Sequence, residues 1–433
     1  MAKPITAYGF KGMNNLPTTA ARLLDDERQL TPRIVLNADV TDGGVLQRRC
    51  GYRQVVGLDN CHSLWAESVM LCVAQGTSSP QALYRVEGSQ ARELCGVPGP
   101  RSQISYEEIN GLIYAAGPYW PGIVYDPLNE VVRPWGVSLP PAPAITLVDG
   151  SLPPGTYSFC YTNAEGDRLG GNGPLVQIRW EGGTQGVQLH NLLAGAVCWM
   201  THPNGKDLFL APLSGGVVTG QSPYLQPLAS FMVQPPPGFS HFVSAFGRVW
   251  GARGKKILYS DPHQYDWFRV ANYLPFLEDL VLLAPVTGGI FANSRTRTWF
   301  LEGTDPAKMN LHTVGDGAVP GTMVMAQMEG GGYEISRKLA QLPSPVWMSR
   351  KGLVVGTHTG HVVHLTEAKV SLTPRTRGAG LYRTQNGIPQ VVASLFGPPG
   401  EVTELEEVFT RGRMYIPAPL EVVGSGGVEV SGP

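Results

Sequence analysis

A short hairpin pattern that recurs along the chain restricts its fold more than any other feature. Each copy has a turn residue, a short apolar strand, a few polar or glycine residues and a second apolar run. The first strands of the five clearest copies lie at 67–73, 110–116, 246–252, 288–292 and 351–356, and the second runs at 82–84, 123–125, 257–259, 299–301 and 362–364. Short apolar runs separated by turn residues are typical of antiparallel sheets.

The spacing of the copies matches one blade of a β-propeller. From Ser68 to Gly111 is 43 residues and from Gly247 to Gly289 is 42, whereas a four-stranded blade takes about 40 to 50 residues. The interval from Gly289 to Gly352 is 63 residues, so the repeat is irregular there. Weaker copies begin near 44, 386 and 412. The sequence therefore predicts an all-β propeller of about six irregular blades.

Composition supports an ordered chain of many short strands. The 433 residues include 54 glycines and 37 prolines, and only 15% are charged, against about 25% in typical domains. A hydrophobic content of 42% is too high for disorder. The formal net charge of −1 excludes nucleic-acid binding driven by bulk charge, although a local basic patch remains open.

Neither a membrane segment nor a disulfide framework is expected. The longest unbroken apolar run, residues 280–286, is far shorter than the roughly 20 residues of a membrane helix, and residues 1–4 do not open a signal peptide. The six cysteines contain no Cys-x-x-Cys pair, so we expect them to be reduced and mostly buried. These features predict a soluble protein made in the cytosol.

A second domain interrupts the repeat. From Gly111 to Gly247 is 136 residues, which leaves roughly 94 beyond one blade period. Proline-rich segments at 139–143 and 234–237 flank this insertion, residues 156–161 and 176–180 alternate at period two, and residues 203–206 predict a type I′ hairpin turn. We predict a propeller at 1–138 and 238–420, an inserted immunoglobulin-like or fibronectin III-like β-sandwich at 139–237, and a flexible or partner-bound tail at 421–433.

Sites of chemistry are weakly indicated. His358, His361 and His364 fall in a hairpin, where they do not share one face, so an ordinary turn and strand is favoured over a metal site. Paired acidic residues are sequence neighbours that would face opposite sides of a strand, and neither a nucleophile elbow nor a phosphate loop is found. We therefore predict no catalytic, cofactor-binding or metal-binding residue and no enzyme activity.

Two sets of residues are candidates for other roles. Four basic residues of one blade could form a positive edge that contacts phosphates or an acidic partner: Arg248, Arg253, Lys255 and Lys256. In the same blade, Ser260-Asp261-Pro262 with Asp266-Trp267 resembles the structural Asp-box turn of sialidase-like propellers. Six glycines are expected to serve turns with positive φ: Gly12, Gly51, Gly111, Gly247, Gly289 and Gly352.

Several segments resemble the tail nozzle or hub proteins of tailed bacteriophages. Near the start these are FKGMNN at 10–15, Asn37-Ala38-Asp39 and GGVLQRRCGY at 43–52. Further along they are WGV at 135–137, GRVW at 247–250 with SDP at 260–262, and SRKGL at 349–353 with GHV at 360–362. The resemblance covers most of residues 8–370, and the members of this nozzle and hub family are β-propellers.

This resemblance implies a structural virion protein rather than an enzyme. Copies would form a ring, expected to be a hexamer, below the portal and the head-to-tail adaptor, and would also meet tail fibre or tip proteins. The ring would enclose the channel that retains packaged DNA and later releases it, without sequence-specific DNA binding and without a membrane span. The protein would be made in the host cytoplasm and located in the virion tail.

The alternative is a receptor-binding propeller of the tail tip that recognises carbohydrate. Aromatic side chains that could stack on sugar rings suggest it: Trp65, Trp120, Trp250, Trp267 and Trp299. Most of these residues occupy apolar strand positions, which favours a place in the core.

Overall fold

A computed structural model describes residues 38–40, 45–48, 54–327, 342–367, 377–385 and 388–396. All regular elements in these ranges are β-strands, and none of them contains a helix able to cross a membrane. Gly12 and Gly51, the candidate repeat at 412 and the predicted tail at 421–433 lie outside the described residues.

The first part of the chain forms a hairpin and two four-stranded antiparallel sheets. The hairpin consists of β1 (Ala38–Val40) and β2 (Leu46–Arg48). The first sheet, blade 1, contains β3 (His62–Ala66), β4 (Met70–Ala74), β5 (Ala82–Glu87) and β6 (Gln90–Gly96). Blade 2 contains β7 (Ser105–Ile109), β8 (Leu112–Gly117), β9 (Trp120–Asp126) and β10 (Val131–Pro134). In each blade, strands adjacent in sequence are hydrogen-bonded neighbours, as in propeller blades.

Two further sheets follow and pack face to face as a sandwich. Their strands are β11 (Ala144–Leu152), β12 (Gly155–Glu165), β13 (Arg168–Asn172), β14 (Val176–Trp180), β15 (Gln185–His190), β16 (Ala196–Thr201), β17 (Leu208–Leu210), β18 (Leu213–Ser214) and β19 (Val217–Val218). One sheet has the order β11-β15-β19-β18; the other has β13-β12-β16-β17, with β14 also on β12. Tyr157, Phe159 and Met200 of one sheet share a core with Val187 and Val218 of the other. The immunoglobulin or fibronectin III assignment of this sandwich stays a prediction.

The remaining strands continue the series of sheets. The short β20 (Val233–Gln234) pairs with β24 (Phe268–Arg269). Blade 3 contains β21 (His241–Ala245), β22 (Arg248–Arg253), β23 (Lys256–Tyr259) and β25 (Tyr273–Pro275); blade 4 contains β26 (Leu280–Val286), β27 (Gly289–Ser294), β28 (Arg297–Glu302) and β29 (Asn310–Asp316). Blade 5 contains β30 (Val324–Ala326), β31 (Ser344–Ser349), β32 (Gly352–Gly356) and β33 (Val362–His364), and a hairpin follows of β34 (Arg377–Gln385) and β35 (Ile388–Phe396).

Successive blades stack face to face, because alternate residues of each strand point to opposite neighbours. In β8, Ile113 and Ala115 pack in the core shared with blade 1, whereas Tyr114 and Ala116 pack in the core shared with blade 3. In β27, Ile290 faces blade 3 and Phe291 faces blade 5. The hairpin β34–β35 continues the series, since Tyr382 and Val391 pack against Val346 and Val355 of blade 5.

The predicted all-β propeller is confirmed by this arrangement, with five four-stranded blades and the β34–β35 hairpin among the described residues. The long interval between Gly289 and Gly352 also has a structural explanation. Within blade 5, β30 ends at Ala326 and β31 begins at Ser344, so a long connection separates two paired strands.

Side-chain hydrogen-bond acceptors connect the first-strand regions of blades 1 to 4 in succession. The Ser63 hydroxyl accepts a hydrogen bond from the Ile104 amide at 2.9 Å, immediately before β7. Glu107 accepts from the Ser244 amide at 2.9 Å and from its hydroxyl at 2.8 Å. His241 Nδ1 accepts from the Leu283 amide at 3.3 Å. These bonds satisfy amides that the inner edge of each sheet would otherwise leave unpaired.

Glycine turns account for the position of several hairpins. Gly111, Gly247 and Gly352 have φ values of +76°, +70° and +95°, which L-amino acids with a side chain adopt only at a cost. At Gly289, a Cβ would collide with the carbonyl of Leu301 on the paired strand. Each of these glycines therefore has a backbone reason to be glycine.

We expect Gly352→Ala to lower the free energy of unfolding by about 2 kcal/mol and Gly111→Ala by about 1 kcal/mol. Both variants place alanine at a positive φ, which is unfavourable for a residue with a Cβ. At 352 the Cβ would also collide with the Thr366 hydroxyl, whereas the space around 111 is open. Urea unfolding of the two variants measures the difference. Equal losses would contradict the steric contribution at 352.

Candidate functional site

A polar junction joins blade 3 to the inserted sandwich, and we call it the clasp. It consists of residues 168–169 and 229–231 of the insertion and the loop 260–272 of blade 3. Arg168 contacts the Asp266 carboxylate through Nη2 at 3.1 Å and Nε at 3.2 Å. The Trp267 indole donates to the Leu169 carbonyl at 3.0 Å. Both contacts join segments about a hundred positions apart in the chain.

Arg269 is the centre of the clasp. Its Nε donates to Asp261 Oδ2 at 2.7 Å, its Nη1 to the Phe231 carbonyl at 2.7 Å and its Nη2 to the Ala229 carbonyl at 2.9 Å. The second oxygen of Asp261 accepts from Asn272 at 2.9 Å. The planar guanidinium thus holds the 260–272 loop and the chain leaving the sandwich in one geometry.

The two ends of the insertion also meet. Trp135, which follows blade 2, is 2% exposed and donates its indole N–H to the Tyr265 carbonyl at 3.0 Å. Gly136 has φ +87°, and a Cβ there would come within 2.8 Å of Pro235 and Pro236. Because the chain enters and leaves the sandwich through contacting residues, the sandwich is attached by two adjacent connections and the clasp.

The Asp-box interpretation of 260–267 is wrong in its details. The Asp261 side chain accepts from Arg269 and Asn272 rather than from backbone amides, and Trp267 turns toward the insertion rather than between two blades. The reason is that the loop has a second domain beside it, which supplies the Leu169 carbonyl as a partner for the indole.

The four basic residues proposed for a positive edge do not form one cluster. Arg253, Lys255 and Lys256 lie at the exposed turn between β22 and β23. Arg248 lies at the opposite end of β22, where its Nη1 donates to the Ser260 carbonyl at 2.6 Å and its guanidinium stands 5.6 Å from the Tyr259 ring centre. Lys256 Nζ lies 4.6 Å from the Tyr273 ring centre. The structure therefore groups three of the four.

The histidines of 358–364 are spread over a turn and a strand. The His358 side chain is 5% exposed and its Nδ1 accepts from the Thr287 amide at 3.3 Å, whereas His361 is exposed and His364 ends β33. Within the described ranges, no group of three or more histidine, cysteine, aspartate or glutamate residues is arranged to hold a metal ion.

Two titratable groups with displaced pKa values lie between inner strands. Burial raises the pKa of Glu107 to about 7, opposed by its bonds to Ser244 and reinforced by the nearby Glu67. Burial lowers the pKa of His241 to about 4. Each side chain is hydrogen-bonded to the neighbouring blade, so the pKa of each group depends on how the blades pack.

Sequence reasoning missed most of the clasp. Arg168 and Arg269 are ordinary surface arginines by composition, and their partners lie 98 and about 40 positions away. The available signal was the SDP and Trp267 segment, whose conformation was interpreted without the domain that it contacts.

Breaking the clasp is expected to loosen the sandwich without unfolding the propeller. Arg269→Met keeps the aliphatic stem, removes three charged hydrogen bonds and should lower the free energy of unfolding by about 2 kcal/mol. We also expect faster proteolysis at 219–232. The matched control is Arg179→Met, which removes an exposed ion pair with Glu181 and should cost under about 0.5 kcal/mol. Equal effects of the two variants would show that the clasp carries no special stability.

No protein-family model matches the sequence, and the search of curated proteins found no match. Solved structures similar to this chain include BBS1N in complex with ARL6DN (11% identity, covering 81% of this chain and 94% of that chain, TM-score 0.29). Others are Sqt1 of Saccharomyces cerevisiae (10%, 76% and 78%, TM-score 0.31) and the AfRom2 CNH domain (9%, 81% and 97%, TM-score 0.24). The fold assignment rests on the strand pairing described above.

Proposed function

We propose that the chain is a structural protein of a bacteriophage tail. In this proposal, copies assemble as a nozzle or hub ring, six being the expected number, below the portal and adaptor. The ring encloses the channel through which packaged DNA is retained and then released. The chain contributes shape and contacts rather than a chemical reaction.

The observation that carries the proposal is the clasp. A component of a pressurised assembly must hold its domains in fixed relative positions, because subunit contacts on different domains have to be made together. Here the Arg269 guanidinium and the Trp267 indole connect the sandwich to the propeller. The buried Trp135, just before the insertion, is bonded to the same blade 3 loop. These contacts hold the sandwich in a fixed position relative to the propeller.

Three of the segments that resemble nozzle and hub proteins lie at or beside this junction. WGV at 135–137 contains the buried Trp135 and the tightly packed Gly136. GRVW at 247–250 begins β22, and SDP at 260–262 provides the Asp261 that binds Arg269. The resemblance and the interdomain contacts therefore overlap at these residues, which supports the proposal.

The carbohydrate alternative loses much of its support from side-chain placement. Trp120, Trp250 and Trp299 are 6%, 0% and 4% exposed and pack in the cores between blades. Trp65 stacks on Tyr106 at 5.8 Å, and Trp267 belongs to the clasp. Three of the five indoles are therefore buried in cores between blades, where they cannot stack on a sugar ring.

The test is localisation in the virion. An antibody against this chain, applied to purified phage particles that carry its gene and imaged in negative stain, should label the tail close to the head. Label at the distal tip alone would favour the receptor-binding alternative, and particles without label would refute the proposal.

A further inference from the structure

We propose that one face of the propeller, formed by the middle turns of blades 3, 4 and 5, is a binding surface for the phosphate backbone of duplex DNA. We call it the basic face, and it comprises residues 253–256, 294–297 and 349–352. The inference rests on the proposed function in that a tail protein encounters DNA, but the surface itself is identified from topology and charge.

Topology places these three turns together. In an antiparallel four-stranded blade, the turn between the second and third strands lies at the opposite end from the other two turns, and on the side where the chain passes to the next blade. The residues 253–256, 294–297 and 349–352 all occupy that middle turn. Contacts with the connections confirm the placement, because the Leu280 amide donates to the Gly254 carbonyl and Lys351 reaches Asp316 at the end of β29.

Each turn carries exposed positive charge. Blade 3 provides Arg253, Lys255 and Lys256. Blade 4 provides Arg295 and Arg297, and blade 5 provides Arg350 and Lys351. Since packed sheets lie about 10 Å apart, the three turns would space these cations along an arc of roughly 20 Å.

Acidic neighbours neutralise only part of this charge. Glu278 pairs with Arg297 at 3.3 Å, and Lys351 pairs with both Asp316 at 3.4 Å and Glu367 at 3.1 Å. Asp279 also lies beside the blade 3 turn, but among the described residues no salt bridge involves Arg253, Lys255, Lys256 or Arg350. A chain with a net charge of −1 therefore concentrates positive charge on one face.

The chemistry of the face fits a phosphodiester backbone better than an acidic peptide. The cations stand on short turns at repeated intervals, as a ligand with regularly spaced charges requires. Contacts of lysine and arginine with phosphates carry no sequence information. Such a surface holds DNA weakly and allows it to slide.

The test is equilibrium binding of the full chain to a short fluorescein-labelled DNA duplex of mixed sequence, measured by anisotropy over a range of salt concentrations. The variant Arg253→Gln/Lys255→Gln/Arg350→Gln should weaken binding at least tenfold at about 50 mM salt. It should also reduce the slope of log K against log salt by about 2.7, since each phosphate contact contributes about 0.9.

The matched control removes the same charge elsewhere. Arg179→Gln/Lys206→Gln/Lys308→Gln neutralises three exposed cations of the sandwich and of the loop before β29, and should leave both the affinity and the slope nearly unchanged. Equal losses in the two triple variants, or no duplex binding by the unmodified chain at low salt, would overturn the inference. Competition by polyglutamate as strong as by DNA would also overturn it, in favour of an acidic protein partner.

The outcome is separable from that of virion labelling. A chain that labels the tail but does not bind duplex DNA leaves the structural function intact and refutes the basic face. A chain that binds DNA through these turns but is absent from the tail supports the basic face and refutes the structural function.

Discussion

Replacing Trp135 with alanine is expected to lower the free energy of unfolding by about 4 kcal/mol, because truncating a buried tryptophan costs about 3 to 5 kcal/mol. The indole is 2% exposed and lies within 4.8 to 6.2 Å, ring centre to ring centre, of Tyr114, Phe239, Phe242 and Phe268. Its N–H also donates to the Tyr265 carbonyl. The substitution therefore removes aromatic packing between blades 2 and 3 and removes the donor of the Tyr265 carbonyl.

Urea unfolding followed by circular dichroism measures this loss. Trp65→Ala is the control, because Trp65 also stacks on an aromatic ring but is only partly buried, and we expect it to cost about 1 to 2 kcal/mol. Trp135→Phe should recover part of the packing without the hydrogen bond. A loss below about 1 kcal/mol for Trp135→Ala would mean that blades 2 and 3 do not share the core described here.

The second large effect is a change in pH dependence when Glu107 is replaced by glutamine. The folded-state pKa of Glu107 is raised to about 7 from 4.5, so the folded protein holds this proton more tightly than the unfolded chain does. Its ionisation destabilises the fold by up to about 3 kcal/mol above pH 7, and this cost disappears as the pH falls toward 4.5. Glu107→Gln removes that dependence.

His241 has the opposite effect to Glu107 on how the stability of the fold changes with pH. Its folded-state pKa is lowered to about 4 from 6.5, so its neutral form stabilises the fold above pH 6.5, and this contribution is lost as the pH falls toward 4. In the unmodified chain the two groups largely cancel between pH 4.5 and 6.5. Without Glu107, the pH dependence of stability caused by His241 is no longer offset. The variant should therefore become less stable as the pH falls from 6.5 to 4.5.

The measurement is the free energy of unfolding of the unmodified chain and of Glu107→Gln at pH 8 and pH 5. Whatever constant offset the amide adds, we expect the difference between the two proteins to change by about 2 kcal/mol between these pH values, in favour of the variant at pH 8. Glu181→Gln, an exposed change on the sandwich, is the control and should show no such trend. Parallel pH profiles for Glu107→Gln and the unmodified chain would contradict the buried position of this carboxyl.

Local signals in the sequence were sufficient to predict the blades. Asn110-Gly111 and Phe246-Gly247 both have two consecutive residues with positive φ, and each pair connects strands in register on either side. Such two-residue turns fix the hairpin, and the apolar alternation fixes which residues face each neighbour. The fold class follows from information contained within about ten residues at a time.

The turn at 203–206 shows where local reasoning was wrong. The paired residues nearest the loop are Thr201 and Leu208, so six residues rather than two connect β16 to β17. Asn204, with φ +58°, donates its amide to the Thr156 carbonyl at 2.8 Å and accepts from the Thr156 amide at 3.1 Å. The loop is held open because it pairs with the start of β12, a partner 48 positions away.

The clasp and the basic face depend on the same kind of distant information. Arg269 and Lys351 have no distinctive local pattern, and their surroundings arise only when blades and sandwich are assembled. The grouping of Arg248 with Arg253 was wrong for the same reason that the grouping of the middle turns was missed. Strand direction decides to which end of a blade a residue belongs.

The most direct test of the central claim is the mass of the full chain in solution, measured by light scattering with and without candidate portal and adaptor proteins. The account predicts a ring of about six copies, or a monomer that joins such a ring when the adaptor is supplied. A stable monomer or trimer that is indifferent to the adaptor would contradict the proposed place of this protein below the portal.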